Sequence, residues 1–262
     1  MPDLTYPVVI AAAKSWFRLW GIDVRMEGNE HIPRSGGAVL ACNHSSHLDF
    51  VMAGYPPETQ GRYTRFMAKR EVFDHPVGGL LMRSFKHISV DRAAGAGSLR
   101  AAAEACRRGE LVGIYPEATI SRSFMIKELK SGAARIAADA GVPLIPMVHF
   151  GAHRIQTKDH PRDFSRRKTI LIKTGEPLYP TGEDPAADTA ALKSAMEALL
   201  DRCIAEYPED EKPPGAWWLP AAYGGSAPTP EQALELDAEE LRQRAARKAA
   251  KRAGNTKGGK KK

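Results

Sequence analysis

The chain has 262 residues, enough for one ordinary catalytic domain with appendages and too few for two full domains. Its formal charge of +7 resides in residues 241–262, which hold ten Lys or Arg and no Asp or Glu. The rest carries 28 basic against 31 acidic residues, so the body of the chain offers no basic surface for nucleic acid. Three widely spaced cysteines, Cys42, Cys106 and Cys203, form no CxxC pair; they argue against a disulfide framework or structural zinc and for a reducing, cytosolic setting. No stretch approaches the roughly 20 apolar residues of a membrane-spanning helix, and Lys14 and Arg18 break the first apolar segment, so no secretory signal is expected.

In chain order, that segment reads as an amphipathic helix with Val9, Ala12, Ala13, Trp16 and Trp20 on one face and Lys14 and Arg18 on the other. Such a face suits either a membrane interface or packing on its own domain, and tryptophans flanked by cations favour lipid. Apolar runs at residues 38–42, 66–68, 87–90, 111–115, 144–150 and 169–173 then alternate with helical stretches at 98–108, 131–140 and 187–206. This alternation predicts an α/β domain with a largely parallel central sheet flanked by helices. Gly141-Val142-Pro143 reads as a helix stop before a buried strand. After Tyr207 the chain turns rich in Pro and Gly, with a Trp217-Trp218 pair, then reads as a polar helix over 231–251 and a Gly/Lys tail. The expected organisation is an interfacial helix over 1–22, a catalytic domain over 23–207, and a C-terminal extension over 208–262.

His44-Ser45-Ser46-His47-Leu48-Asp49 directly follows the run at 38–42. An imidazole near neutral pH takes the proton of an attacking hydroxyl, and a neighbouring carboxylate fixes its tautomer. Residues five apart on a helix point about 140° apart, so His44 must precede the helix, with Asp49 in its first turn. Ser46-x-x-Asp49 resembles a helix-capping pattern, which leaves a cap as the alternative role for Asp49. A metal site on His44, His47 and Asp49 is disfavoured, because the spacing departs from H-x-H-x-D-H.

Tyr115-Pro116-Glu117-Ala118-Thr119-Ile120-Ser121-Arg122 also follows an apolar run. Hydroxyls of Thr119 and Ser121, the Arg122 guanidinium and turn amides suit a phosphate. Lys69 and Arg92, each just beyond a predicted strand, are further cations for the same edge of the sheet, with surface salt bridging as the alternative.

Four blocks, Asn43-His44-Ser45-Ser46-His47-Leu48-Asp49, Ile88-Ser89-Val90-Asp91-Arg92, Tyr115-Pro116-Glu117-Ala118-Thr119 and Val142-Pro143-Leu144-Ile145-Pro146, resemble in order the motif blocks of the 1-acyl-glycerol-3-phosphate acyltransferase family. The resemblance covers about residues 20 to 180. It implies acyl transfer from acyl-CoA or acyl carrier protein, as co-substrate and with no cofactor or metal, to a glycerol hydroxyl of a lysophospholipid, giving a product such as phosphatidic acid. His44 is then the general base and Asp49 its partner. Lys69, Arg92 and the block of Glu117, Ala118 and Thr119 hold the acceptor's phosphate. The resemblance further implies a peripheral protein on the cytoplasmic face of the membrane, in contact with it through the first helix; the basic tail reads first as a solvated, disordered end, with attraction to anionic lipid or nucleic acid as the alternative.

The third block departs from the family, where glycine stands at position 118 and arginine at 120. Ala118 narrows the approach to a phosphate and Ile120 removes a bidentate donor, so Arg122 is expected to supply the charge. With that change another lysolipid or a glycolipid becomes an alternative acceptor. Other readings are a thioesterase using the same His44 and Asp49 on water, and a non-catalytic protein docking on anionic lipid. An alcohol attacking a thioester also forms an oxyanion, for which backbone amides near His44 or Glu117 are the expected donors.

Overall fold

A computed structural model describes residues 5–90 and 95–258. Seven strands form one sheet in the order β1-β7-β6-β2-β5-β3-β4. They are β1 (Asp23–Glu27), β2 (Ala38–Cys42), β3 (Thr64–Lys69), β4 (Ile88–Val90), β5 (Leu111–Ile114), β6 (Leu144–Phe150) and β7 (Thr169–Thr174). All neighbours run parallel except β6 and β7. The six expected strands are present, and the predicted class, an α/β fold on a largely parallel sheet, is the one observed. β1 was not foreseen because its residues alternate between exposed and half-buried and include Asp, Arg and Glu, as suits a sheet edge.

The centre of the sheet explains why the unbroken apolar runs are strands. Every residue of β2, β6 and β7 is buried, as a strand covered on both faces requires. Leu40, Leu111, Ile145, Met147, Ile170 and Ile172 share one apolar core, each contributing about 1.5–3 kcal/mol on burial. Lys173 is tolerated within β7 because its ammonium meets the carboxylates of Glu27 and Glu206.

Helices α1 (Thr5–Trp20), α6 (Gly95–Arg107), α7 (Gly132–Ala140) and α8 (Pro185–Ala205) follow the expected periodic stretches. α7 ends at Gly141, whose φ of 66° is the left-handed stop foreseen there. α8 begins at Asp184, which accepts from the amides of Ala186 and Ala187 at 3.0 Å each, with Pro185 in its first turn. α2 (Asp49–Met52) is the helix expected to carry Asp49, and the short helices not foreseen are α3 (Tyr55–Thr59), α4 (Arg70–Asp74) and α5 (Pro76–Ser84). They are too short for an amphipathic period to register in sequence.

The chain divides into two compact units, one holding residues up to 121 and 126–213, the other residues 122–125 and 214 onward. α1 belongs to the first. Its Phe17 is buried in the core, and the Tyr6 hydroxyl donates to Thr64 O at 2.7 Å. The face expected to meet lipid is divided: Trp16 and Trp20 pack against the core, with Trp20 Nε1 donating to Phe164 O at 2.8 Å, whereas Val9 and Ala12 are exposed, as are Val8 and Leu19 outside that face. Lys14 is tied to Glu58. In the second unit, Trp218 and Leu219 are buried, Trp217 meets Phe124 edge-on, and α9 (Pro230–Gly258) forms a long polar helix.

Gly151, just after β6, has φ of 106°, and a Cβ there would lie 2.3 Å from Thr169 O. Gly151→Ala is therefore expected to destabilise the protein by more than about 2 kcal/mol. Chemical denaturation of the purified variant measures this.

Candidate active site

Because β2, β3, β4 and β5 are parallel, their C-terminal ends share one edge of the sheet, and the sequence blocks issue from it. His44 lies in the loop after β2, Lys69 ends β3 and Glu117 follows β5. Arg92, two residues beyond β4, lies outside the described residues.

Asp49 opens α2 and its side chain is 2 % exposed. Oδ2 accepts from His44 Nδ1 at 2.7 Å, from Ser45 N at 2.8 Å and from Ser46 N at 3.0 Å. Asp49 thus makes the reach-back half of the expected capping pattern, accepting from the Ser46 amide, although α2 begins only at Asp49 and has no side-chain cap. Ser46 Oγ instead accepts from Leu48 N at 3.0 Å and donates to Gln156 O at 2.7 Å. Burial alone would raise the Asp49 pKa, but His149 and His44 beside it outweigh that and hold the carboxyl down to about 2. With Nδ1 bound to Asp49, the imidazole keeps Nε2 for a substrate, and its side chain is 24 % exposed. The ring stacks on Tyr115 at 4.7 Å between centroids. His47 is exposed and its ring takes no part.

The loop after β5 holds His44 by its backbone. His44 N donates to Glu117 Oε1 at 2.7 Å, and Ser121 N donates to His44 O at 2.7 Å. The other Glu117 oxygen accepts from Lys127 N at 3.1 Å. Glu117 is therefore a buried fastener between two loops, which corrects the expectation that it holds the acceptor. Burial pushes its carboxyl up to about 8 against the pull of those two amides.

The rest of this block is rearranged. Ala118 adopts φ of 62°, the left-handed conformation natural to the family's glycine, at a cost of about 1 kcal/mol. Ile120 turns inward and is buried, so nothing at that position reaches a ligand. Arg122 lies in the second unit, where its guanidinium is held by Asp237 and by Glu240 at 3.0 Å. The charge that Arg122 was expected to lend to a phosphate is thus met by two carboxylates of its own unit. A cation not foreseen belongs to the same block: Lys127 Nζ donates to Thr119 Oγ1 at 2.8 Å, on an exposed residue. Lys69 is exposed at its strand end.

The opposite side of the His44 loop is held by β6 and the turn after it. Asn43 Nδ2 donates to His149 O at 3.0 Å, and His149 N donates to Asn43 Oδ1 at 2.9 Å. Thr157 Oγ1 donates to Ser45 O at 2.7 Å, and His47 N to Gln156 O at 3.2 Å. Sequence reading missed His149, Gln156 and Thr157; the one available signal was a histidine inside the otherwise apolar run at 144–150. The amides of His44, Ser45, Ser46 and His47, and those of Ala118, Thr119 and Ser121, are all engaged within the protein. Those seven amides are therefore not available as oxyanion donors in this structure, and the amides of Glu117 and Ile120 are not among them. Among the described residues, no group of three or more His, Cys, Asp or Glu is placed to hold a metal ion.

Comparison with known proteins agrees with this architecture. A family model described as acyltransferase matches residues 23–149. The 1-acyl-sn-glycerol-3-phosphate acyltransferase of Bacillus subtilis is 28 % identical over 187 residues, covering 68 % of this chain and 89 % of the relative. An uncharacterized acyltransferase of Schizosaccharomyces pombe is 30 % identical, covering 77 % of this chain and 74 % of the relative. The crystal structure of the 1-acyl-sn-glycerophosphate acyltransferase PlsC from Thermotoga maritima shares the fold, with a TM-score of 0.63 at 21 % identity over 78 % of this chain and 81 % of that one. With its ordered motif blocks carried on the same fold, the chain belongs to the 1-acyl-sn-glycerol-3-phosphate acyltransferase family of glycerolipid acyltransferases.

Proposed function

We propose that the protein transfers an acyl group from acyl-CoA, or from acyl carrier protein, to the free glycerol hydroxyl of 1-acyl-glycerol-3-phosphate, giving phosphatidic acid. The observation that carries this reading is the His44 Nδ1–Asp49 Oδ2 contact of 2.7 Å at the sheet edge, with the second imidazole nitrogen left for a hydroxyl. The names of the relatives in Bacillus subtilis and Limnanthes douglasii support the choice of acceptor.

In this mechanism His44 Nε2 takes the hydroxyl proton as the oxygen bonds to the thioester carbonyl carbon. The tetrahedral oxyanion then collapses, the C–S bond breaks, and the imidazolium returns the proton to the departing thiolate. Asp49 fixes the tautomer and balances the imidazolium charge, staying ionised because its carboxyl titrates near 2. The sequence of steps needs neither a nucleophilic serine nor a cofactor. The acceptor's phosphate is met by Lys127 beside the Thr119 hydroxyl, with Lys69 at the end of β3 as a further cation.

The same proposal places the protein at the cytoplasmic face of the membrane as a peripheral enzyme. Val8, Val9 and Leu19 on α1 and Val77 and Leu80 on α5 are exposed, and Tyr6 of α1 packs on Phe85 at the end of α5, so these apolar side chains belong to neighbouring helices. Exposed aliphatic side chains on adjoining helices suit insertion into the headgroup layer, and the basic tail adds attraction to anionic lipid. Among the described residues no helix is long and apolar enough to cross a membrane.

A mass-spectrometric assay with acyl-CoA, with and without 1-acyl-glycerol-3-phosphate, tests the reading. Phosphatidic acid made only when the acceptor is present is expected, and free fatty acid released at the same rate without it would sink the proposal in favour of hydrolysis. In the same assay His44→Ala should lower kcat about a thousandfold, and Asp49→Asn at least about a hundredfold. Lys127→Ala should raise the acceptor KM about tenfold, whereas Arg122→Ala should leave it unchanged and lower the melting temperature.

A further inference from the structure

His149 is the sixth residue of β6, a strand in which every residue is buried, and it is itself 1 % exposed. Its Nε2 lies 3.1 Å from Asp49 Oδ1, out of line for a strong hydrogen bond. The two Asp49 oxygens are unequally served. Oδ2 takes three donors, whereas among the described residues Oδ1 has no other donor and Nδ1 of the His149 ring has no hydrogen-bond partner.

A buried carboxylate oxygen left without a donor is costly, so the nitrogen facing it needs to carry a proton. One proton on Nε2 meets that need and leaves Nδ1 a bare acceptor, which is cheaper to bury than an unpaired N–H. The backbone that carries the ring is also tied to the His44 loop. The Asn43 side chain bonds both the N–H and the C=O of His149, and Asn43 directly precedes His44.

We propose that His149 is a positioning residue: its imidazole holds Asp49 Oδ1 from the sheet side, so that Oδ2 stays aimed at His44, in a His149–Asp49–His44 arrangement of which only His44 meets substrate. This rests on the reading of His44 and Asp49 as the catalytic pair. An apolar residue at 149 would fill the same space in β6 yet leave Oδ1 bare and free to turn toward other donors.

The test compares His149→Leu, which keeps the bulk without a donor, with His149→Gln, whose amide can donate to the same oxygen. Each full-length variant is assayed for kcat and acceptor KM with oleoyl-CoA and 1-acyl-glycerol-3-phosphate, and nitrogen NMR of histidine-labelled protein reads the His44 tautomer. His149→Leu is expected to lower kcat about 10- to 100-fold with acceptor KM within about twofold, and to mix the His44 tautomers, while His149→Gln restores most of both. Wild-type kcat with a single His44 tautomer in His149→Leu overturns the inference, as does a His149→Gln variant no better than the leucine one. The tautomer measurement needs no substrate. If no variant, nor the wild type, transfers acyl groups but His149→Leu still mixes the tautomers, the positioning role stands and the proposed reaction falls.

Discussion

Placing a carboxylate inside a protein commits its surroundings to supply donors, and the site is organised around that demand at Asp49. Oδ2 gathers the His44 imidazole and the amides of Ser45 and Ser46, which bends the chain sharply between the end of β2 and the start of α2. The same bend presents His44 Nε2 outward, because Nδ1 is occupied. A helix cap and a catalytic pair, alternatives for Asp49 in the sequence, are thus partly one arrangement: the carboxylate that secures the turn is the one that orients the imidazole.

That turn is held from both flanks by neighbouring strands. From β5 come Glu117 and Ser121, which bond the N–H and C=O of His44; from β6 and its following turn come Asn43's partner His149, and Gln156 and Thr157. β2 lies between these two strands in the sheet, so the flanking loops reach it without long excursions. Such support from rigid elements gives a reacting group a fixed position. The altered third block fits this view. Ala118 keeps the backbone conformation that glycine would adopt, Ile120 joins the buried side, and Lys127 brings a cation to Thr119 from farther along the loop.

The helices around the sheet divide their apolar residues between core and surface in a way hydrophobicity alone does not reveal. On α1 the large aromatic residues turn inward, while Val8, Val9 and Leu19 remain outside. On α5, Val77 and Leu80 are exposed although their neighbour Gly79 is buried. A tryptophan next to a cation is a frequent interfacial signature, but here the indole of Trp20 finds a carbonyl partner within its own unit.

By itself the sequence determined the strand and helix alternation, the central strands and the His44–Asp49 pairing. Unbroken apolar runs and a five-residue spacing are local properties that allow few structures. It also located the helix stop at Gly141 and the departures at Ala118 and Ile120. Only the tertiary structure decided which polar groups serve the fold and which face outward. Glu117 and Arg122 look like ligand-binding residues by type, yet one is taken by backbone amides and the other by Asp237 and Glu240. Lys127 and His149 look ordinary in sequence, yet the chain brings them to Thr119 and Asp49. The reason is physical: a charged or polar side chain is defined by the partner that compensates it, and these partners lie from 8 to 118 positions away along the chain.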